Sequence, residues 1–260
     1  MEGEFRRMRE FSLFSGAGGG LLGTKLLGWQ TVGYVEFNEY CQKVLKQRIL
    51  DGIFDKAPIF GDIRTFISEG FAESYKGMVD VITAGFPCQP FSVAGKGLGV
   101  DDPRNMWPQT KDCISIIRPK YCLLENVPGL LAHGYIRRIF GDLAEMGYDC
   151  RWGVIGADDI GLYHRRKRLW VKCTHTMQGG LQKNEKKINR EKRDVCLYRK
   201  RASCNIDRDL PIKWKDSERN HGNLRKGDGV PNWMDRIAAI GNGQVPLCAA
   251  VAWKILSRMV

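Results

Sequence analysis

The chain has 260 residues, 43% hydrophobic and 27% charged, a balance typical of a soluble globular protein. No apolar run approaches the roughly 18 residues of a membrane span, and the N-terminal residues lack a signal-peptide core, so we expect a cytoplasmic protein without a membrane partner. Nine cysteines without disulfide or zinc spacing favour free thiols and no bound metal. The net charge of +12 favours a nucleic-acid partner.

Short β-like runs alternate with helical runs between residues 11 and 170. Strands are predicted at 11–14, 31–37, just before Asp62, and at 79–84, 121–124, 151–155 and 166–172. Helices are predicted at 21–27, 39–50, 105–117 and 136–146, with Asn38 as a cap and Gly147 as a stop. This alternation predicts an α/β sandwich with a mostly parallel sheet, whose ligands bind at the carboxyl ends of the strands.

The alternation fails from residue 174 to about 229, where the chain is polar and basic. Between Lys172 and Val230 there are 16 Lys or Arg against 8 Asp or Glu. The segment is interpreted as a small, irregular lobe that contacts phosphates, although a solvated charged surface is the alternative. Residues 233–260 are predicted to be helical. One helix face can dock on the main domain and consists of Leu247, Ala250, Val251, Lys254 and Ile255. The predicted regions are therefore 1–172, 173–230 and 231–260.

A glycine-rich turn at residues 14–20 follows the first strand and precedes the first helix. Such turns let a ligand approach the backbone closely, although tight packing alone also uses them. Glu36 closes the second strand, where a ribose-binding acid is expected, and Asp62 follows the third strand. Each acid alone is more often a surface cap, but three such features at successive strand ends favour a nucleotide-type ligand.

Cys88 lies between Pro87 and Pro90, directly after the strand at 79–84. Prolines fix their own backbone angles and restrict the preceding residue, so this segment cannot continue as a strand or enter a regular helix. The sequence therefore predicts a stiff loop that presents one thiol at the edge of the sheet.

Six segments in order resemble the motifs of the DNA cytosine-5 methyltransferases, which use S-adenosylmethionine. They are FSGAGG at 14–19, GFPCQPFS at 85–92, DPR at 102–104, LENVPG at 124–129, RRKR at 165–168 and GNGQVP at 241–246. The resemblance covers most of the chain and implies a class I, Rossmann-like methyltransferase fold with a small target-recognition lobe. The compact pattern looks like that of phage and prophage members.

The resemblance implies that Cys88 adds to carbon 6 of a flipped-out cytosine, because carbon 5 alone is too weak a nucleophile for a methyl sulfonium. Glu125 would hold ring nitrogen 3 of the base. Arg166 and Arg168 alternate along a strand, so both point to one face, and the resemblance places them near Cys88. After methyl transfer, loss of the carbon 5 proton and elimination of Cys88 release the product.

Cofactor contacts are also implied by the resemblance. Phe14, Gly16 and Gly18 would adjoin the bound S-adenosylmethionine through the first motif. The remaining implied contacts are Glu36 to the ribose, Asp62 to the adenine amino group, Ile63 to the adenine ring, and Phe86, Asn242 and Val245 around the pocket.

Two positions and one motif depart from the family pattern. Ser12 stands where many members carry an acid, which predicts weaker anchoring of the glycine turn, and His164 replaces a glutamine. The ninth motif is absent and the recognition region is short, so we expect a short target sequence.

The sequence predicts a monomeric enzyme that acts on double-stranded DNA in a bacterial or phage-infected cell, in protection or restriction-modification, with a possible cognate restriction endonuclease. One alternative is a tRNA cytosine-5 methyltransferase of the same superfamily, although that branch typically replaces Phe86. Another is a DNA-binding relative that has lost catalysis, which the intact Cys88, Glu125, Arg166 and Arg168 argue against.

Overall fold

Seven strands form one sheet in the computed structural model, which describes residues 6–87, 105–132, 134–176 and 233–258. The strands are β1 (Arg9–Leu13), β2 (Gln30–Val35), β3 (Ile59–Phe60), β4 (Val81–Ala84), β5 (Tyr121–Asn126), β6 (Tyr148–Gly156) and β7 (Lys167–His175). Their order is β3-β2-β1-β4-β5-β7-β6. The first five in this order run parallel, whereas β7 is antiparallel to both of its neighbours. The carboxyl ends of β1 to β5 therefore share one edge, which we call the carboxyl edge.

Helices cover both faces of this sheet. They are α1 (Gly19–Leu26), α2 (Glu39–Leu50), α3 (Ile63–Ser68), α4 (Trp107–Ile117), α5 (Tyr135–Glu145), α6 (Trp233–Asn242) and α7 (Pro246–Arg258). Short 3-10 turns lie at Glu73–Tyr75, Pro128–Leu131 and Asp158–Ile160. The predicted α/β architecture, with a mostly parallel sheet between helices, is confirmed.

Strand β5 explains why helices must cover both faces. Consecutive strand residues point to opposite faces. Leu124 packs in the core formed with α3, α4 and α5, whereas Leu123 packs with Trp170 and α7 on the other side. A further cluster joins Leu21 of α1 to Leu45 of α2. A strand that is apolar on both sides loses water from both faces, as expected for a central parallel strand.

The predicted strands and helices are present in the predicted order, and two boundary signals work as expected. Asn38 caps α2, because its side chain accepts a hydrogen bond from the backbone N–H of Cys41 at 3.0 Å. Gly147 follows α5 with a φ of 84°. A left-handed backbone angle suits glycine, so the helix ends there.

The structure corrects two expectations from the sequence. The C-terminal segment forms two helices, since the chain breaks at residues 243–245 and α7 restarts at Pro246. The buried face of α7 is partly offset from the predicted one. Ala250 and Val251 are buried as predicted, but Leu247 and Ile255 are partly exposed, and Cys248, Ala249 and Leu256 are buried in addition. Small residues on this face allow the helix to lie close to α1.

Residues 88–104 and 177–232 lie outside the described residues, so the loop of Cys88 and most of the predicted basic lobe do too. The regional limits 1–172, 173–230 and 231–260 remain predictions. Among the described residues, no helix is long and apolar enough to cross a membrane.

Candidate active site

The glycine turn connects β1 to α1 at the carboxyl edge. Phe14, Gly16 and Gly18 have left-handed φ values of 53°, 57° and 92°. A Cβ added at Gly16 would meet nothing within 4 Å, so this part of the turn is open. A Cβ at Gly18 would lie 2.5 Å from the ring of Phe54, which supports a packing role for that glycine. The predicted cofactor contact of Gly18 remains a prediction.

Glu36 is buried at the end of β2 and fixes the turn. One carboxylate oxygen accepts the backbone N–H of Gly16 at 2.6 Å, and the other accepts that of Asn38 at 2.8 Å. Burial raises the pKa of Glu36, and these two hydrogen bonds act in the opposite direction. Glu36 is therefore at the predicted position, and its carboxylate already shapes the turn.

Asp62 follows β3 and caps α3, since its Oδ1 accepts the N–H of Arg64 at 2.8 Å. Ile63 is buried in the core beneath it. Phe37, which the sequence analysis did not single out, directly follows Glu36 and is 76% exposed. The sequence feature that could have revealed Phe37 is an aromatic residue directly after Glu36, the acid predicted to bind the ligand.

Glu125 lies in β5 opposite Trp170 of β7. Arg168 is two residues from Trp170 and therefore shares its face of the strand. The Arg168 Nε lies 2.9 Å from Glu125 Oε1, and both side chains are mostly shielded from water. Burial raises the pKa of Glu125, while Arg168 and then Arg166 favour its ionised form. Glu125 and Arg168, two of the four predicted catalytic residues, are thus a shielded ion pair.

Arg166 has a different set of partners from Arg168. Its Nη1 donates to the backbone oxygen of Gly241 at 2.8 Å, and its Nη2 donates to that of Gly243 at 2.7 Å. The two arginines share a face, as predicted, but Arg166 holds the segment between α6 and α7. Burial and the neighbouring Arg168 lower the pKa of Arg166.

Asn126, next to Glu125, fixes the chain just before Cys88. Its amide donates to the backbone oxygen of Phe86 at 3.2 Å and accepts the N–H of Val127 at 2.8 Å. Phe86 is buried against Trp107, with ring centroids 5.4 Å apart. Strand β5 thus holds the start of the loop whose later residues, Cys88 included, lie outside the described residues.

One pocket at the carboxyl edge brings four predicted site residues together. Phe14, Gly16, Glu125 and Asn242 all line it, together with Gly85 and Gln244. The other predicted cofactor residues do not line it; they are Gly18, Glu36, Asp62, Ile63, Phe86 and Val245. Val245 packs against the α7 cluster, and Phe86 faces the opposite core.

Glu10 is a buried acid that the sequence analysis missed. It lies on β1 two residues before Ser12, and it accepts hydroxyl hydrogen bonds from Thr24 at 2.6 Å, Thr83 at 2.7 Å and Thr31 at 3.3 Å. Burial raises its pKa to about 7. Thr24 and Thr83 also line the pocket. The sequence feature that could have revealed Glu10 is its place on β1. It lies two residues before position 12, where many family members carry an acid, and on the same face of the strand.

The six cysteines in the described ranges are free, and five of them are buried. Cys150 and Cys173 face each other across β6 and β7, and burial raises the pKa of Cys173 well above its ordinary value. Among the described residues, no group of three side chains could hold a metal ion.

Comparisons with known proteins agree with this geometry. A solved structure of a Spodoptera frugiperda DNMT2 mutant has a TM-score of 0.54 and 21% identity, covering 69% of this chain and 54% of that one. At this identity the likeness concerns the fold alone, which is that of the class I S-adenosylmethionine-dependent methyltransferases. The family model of the C-5 cytosine-specific DNA methylases matches residues 8–234, and the chain belongs to that family.

Two relatives from Neisseria gonorrhoeae are similar to the chain. The Type II methyltransferase M.NgoBI is 34% identical over 63% of this chain and 49% of its own length. The Type II methyltransferase M.NgoMIV is 36% identical over 60% of this chain and 48% of its own length. The chain thus spans about half the length of these relatives.

Proposed function

We propose that this chain transfers a methyl group from S-adenosylmethionine to carbon 5 of cytosine in double-stranded DNA. The observation that carries the proposal is the Glu125–Arg168 ion pair, whose carboxylate member Glu125 lines one pocket with Phe14 and Gly16 of the glycine turn. A carboxyl group for the base and an open turn for a nucleotide-type ligand are thus neighbours. Membership of the C-5 cytosine-specific family supports the same reaction.

The residues present fit S-adenosylmethionine, which when bound supplies an electrophilic methyl group. The turn at Gly16 is open where a side chain would otherwise lie. Phe14 and Asn242 would adjoin the methionine end from opposite ends of the chain. Glu36 would receive the ribose hydroxyls, Asp62 the adenine amino group, and the exposed ring of Phe37 would stack on adenine. Gly18, Ile63, Phe86 and Val245 would support these contacts.

In the proposed reaction the Cys88 thiolate attacks carbon 6 of the cytosine, which makes carbon 5 nucleophilic. Glu125, protonated, donates to ring nitrogen 3 and offsets the electron density that the attack delivers to the ring. Its burial raises its pKa, which favours the protonated form that donates. Once carbon 5 carries the methyl group, a solvent water accepts its proton, the carbon–sulfur bond breaks, and Cys88 leaves as the thiolate while Glu125 takes back the proton from ring nitrogen 3.

A buried carboxyl group cannot reach a stacked base, so the cytosine must leave the duplex at a cost of a few kcal/mol. The turn that joins β6 to β7 lies at the carboxyl edge, and its tip carries Tyr163, 97% exposed, followed by the exposed His164 and Arg165. An aromatic ring beside basic groups suits contact with DNA. The basic segment at 173–230 would supply further phosphate contacts.

The biological setting is part of the same proposal. The two Neisseria gonorrhoeae relatives are Type II methyltransferases, which supports a role in restriction-modification or in the protection of phage DNA. We propose a cytoplasmic monomer, with a cognate endonuclease as a possible partner.

The test incubates the protein with labelled S-adenosylmethionine and an unmethylated duplex library of random sequence, and then locates methyl groups base by base. We expect 5-methylcytosine within one short sequence. A parallel reaction with tRNA tests the alternative substrate. Methyl incorporation into tRNA with none in DNA would overturn the proposal.

A further inference from the structure

Gln244 occupies a space that three glycines leave open. A Cβ added at Gly20, in the first turn of α1, would overlap Oε1 of Gln244. A Cβ added at Gly85 would lie 2.7 Å from Nε2 of Gln244 and 3.0 Å from Oε2 of Glu125. A Cβ at Gly19 would instead overlap the backbone oxygen of Gln244. The amide therefore lies between the glycine turn, the end of β4 and Glu125.

The amide of Gln244 and the guanidinium of Arg168 contact different oxygens of Glu125. Gln244 Nε2 lies 3.5 Å from Oε2, whereas Arg168 Nε lies 2.9 Å from Oε1. A carboxylate with a single anchor can rotate about its last bonds, but donors on both oxygens fix the plane of the group. The longer contact, from Gln244 to Oε2, is the weaker of the two. Because Oε2 has two lone pairs, it can accept from Gln244 and still form a hydrogen bond with a ligand.

The backbone around Gln244 is fixed from two sides. Arg166 donates to the backbone oxygens of Gly241 and Gly243, immediately before Gln244. After it, the start of α7 lies against α1, where a Cβ on Gly23 would overlap the backbone oxygen of Pro246. Arg166 thus acts on Glu125 through this segment as well as through its charge.

We propose that Gln244 is a positioning residue that sets the carboxyl group of Glu125 for the cytosine ring. The proposal rests on the function proposed above and adds a residue from the far end of the sequence to the base site. It assigns Gly20 and Gly85 one shared purpose, which is to admit this amide, while Gly19 makes room for the backbone of the same residue.

The first test replaces the amide with an apolar group of similar size, Gln244→Met. We expect about a tenfold fall in kcat, the size of one ordinary hydrogen bond, with little change in cofactor affinity or melting temperature. Gln47→Met, on the exposed side of α2, is the matched control and keeps wild-type activity. A Gln244→Met enzyme with kcat within about twofold of wild type would overturn the inference.

The second test moves the amide without touching Gln244. Gly20→Ala should displace the flexible end of the side chain, lower kcat and leave the melting temperature nearly unchanged, because alanine suits a helix. In a Gln244→Ala background, Gly20→Ala should lower kcat no further. Gly19→Ala meets the backbone, so its effect should persist in that background. Additive effects of Gly20→Ala and Gln244→Ala on kcat would contradict the shared contact.

These outcomes separate the inference from the proposed function. A wild-type protein that methylates no cytosine in DNA refutes the function and the inference that depends on it. An active wild type together with an equally active Gln244→Met refutes the role of Gln244 alone.

Discussion

Two parts of the carboxyl edge hold their acidic residues in different ways. On the side proposed for the cofactor, which we call the cofactor side, Glu36 and Asp62 follow β2 and β3 and accept backbone N–H groups of turns and helix starts. On the side proposed for the cytosine, which we call the base side, at the end of β5 and the start of β7, Glu125 is contacted by the side chains of Arg168 and Gln244. The cofactor side is thus built from local turns, whereas the base side exists only once distant strands have paired. Mutations should therefore affect binding and stability on the first side and turnover on the second.

The largest expected effect is that of Cys88→Ser, because Cys88 is the proposed nucleophile. Serine is far less nucleophilic than a thiolate, so methyl transfer should fall by at least about a thousandfold. Cofactor affinity, measured by calorimetry, should stay near the wild-type value. Turnover close to wild type would remove Cys88 from the mechanism.

Glu125→Gln should come next. It keeps the shape of the side chain but removes the acid that donates to the base, so kcat should fall by about a hundredfold while cofactor affinity changes little. Glu145→Gln, an exposed acid at the end of α5, is the control. If Glu125→Gln weakens cofactor binding as much as it slows turnover, the division between the two sides is wrong.

Glu36→Gln tests the cofactor side. An amide cannot accept both the Gly16 and Asn38 N–H groups, so the turn should loosen, with about a tenfold loss of cofactor affinity and a lower melting temperature. Glu69→Gln, exposed after α3, should change neither quantity. A variant with normal cofactor affinity and slow turnover would place Glu36 functionally with the base side.

The smallest effect on turnover is expected for Glu10→Gln. This substitution should instead change how the free energy of unfolding depends on pH. Because the pKa of Glu10 is raised from 4.5 to about 7, the folded protein keeps a proton that the unfolded chain releases, so stability falls as pH rises across this range. The full change corresponds to about 3 kcal/mol.

Glu36 and Glu125 have raised pKa values and act in the same direction, so the comparison must isolate Glu10. Denaturant unfolding of wild type and Glu10→Gln at pH 5 and pH 8 should show the variant gaining relative stability at the higher pH. Parallel stability curves would mean that the Glu10 carboxyl has the same pKa in the folded and unfolded states.

The cofactor side could be predicted from the sequence because its signals are local. Asn38 as a cap, Glu36 closing β2 and the glycine turn each depend on residues close in the chain or in adjoining strands. The order of strands and helices follows from alternating patterns of this kind. Ser12 contacts the glycine turn directly, since its Oγ lies 2.9 Å from that of Ser15, whereas Glu10 on the same face accepts three threonine hydroxyls outside the turn.

For the base side, the sequence predicts which residues take part, but it does not predict which partners they contact. Arg166 and Arg168 look equivalent in sequence, yet one binds the backbone near Gly243 and the other binds Glu125. That difference depends on where the segment after α6 lies, which no local pattern specifies. Gln244 is 119 residues from Glu125, so their contact becomes visible only in the folded chain.

The central claim is that Cys88 carries the cytosine through the reaction while Glu125 holds it. Its most direct test incubates the protein and S-adenosylmethionine with duplex DNA that carries 5-fluorocytosine, whose carbon 5 has no proton to lose after methyl transfer. Mass spectrometry of the digested complex should show a methylated fluorocytosine bonded to the peptide that contains Cys88. Methylation of ordinary DNA without an adduct, or an adduct on another cysteine, would contradict the account.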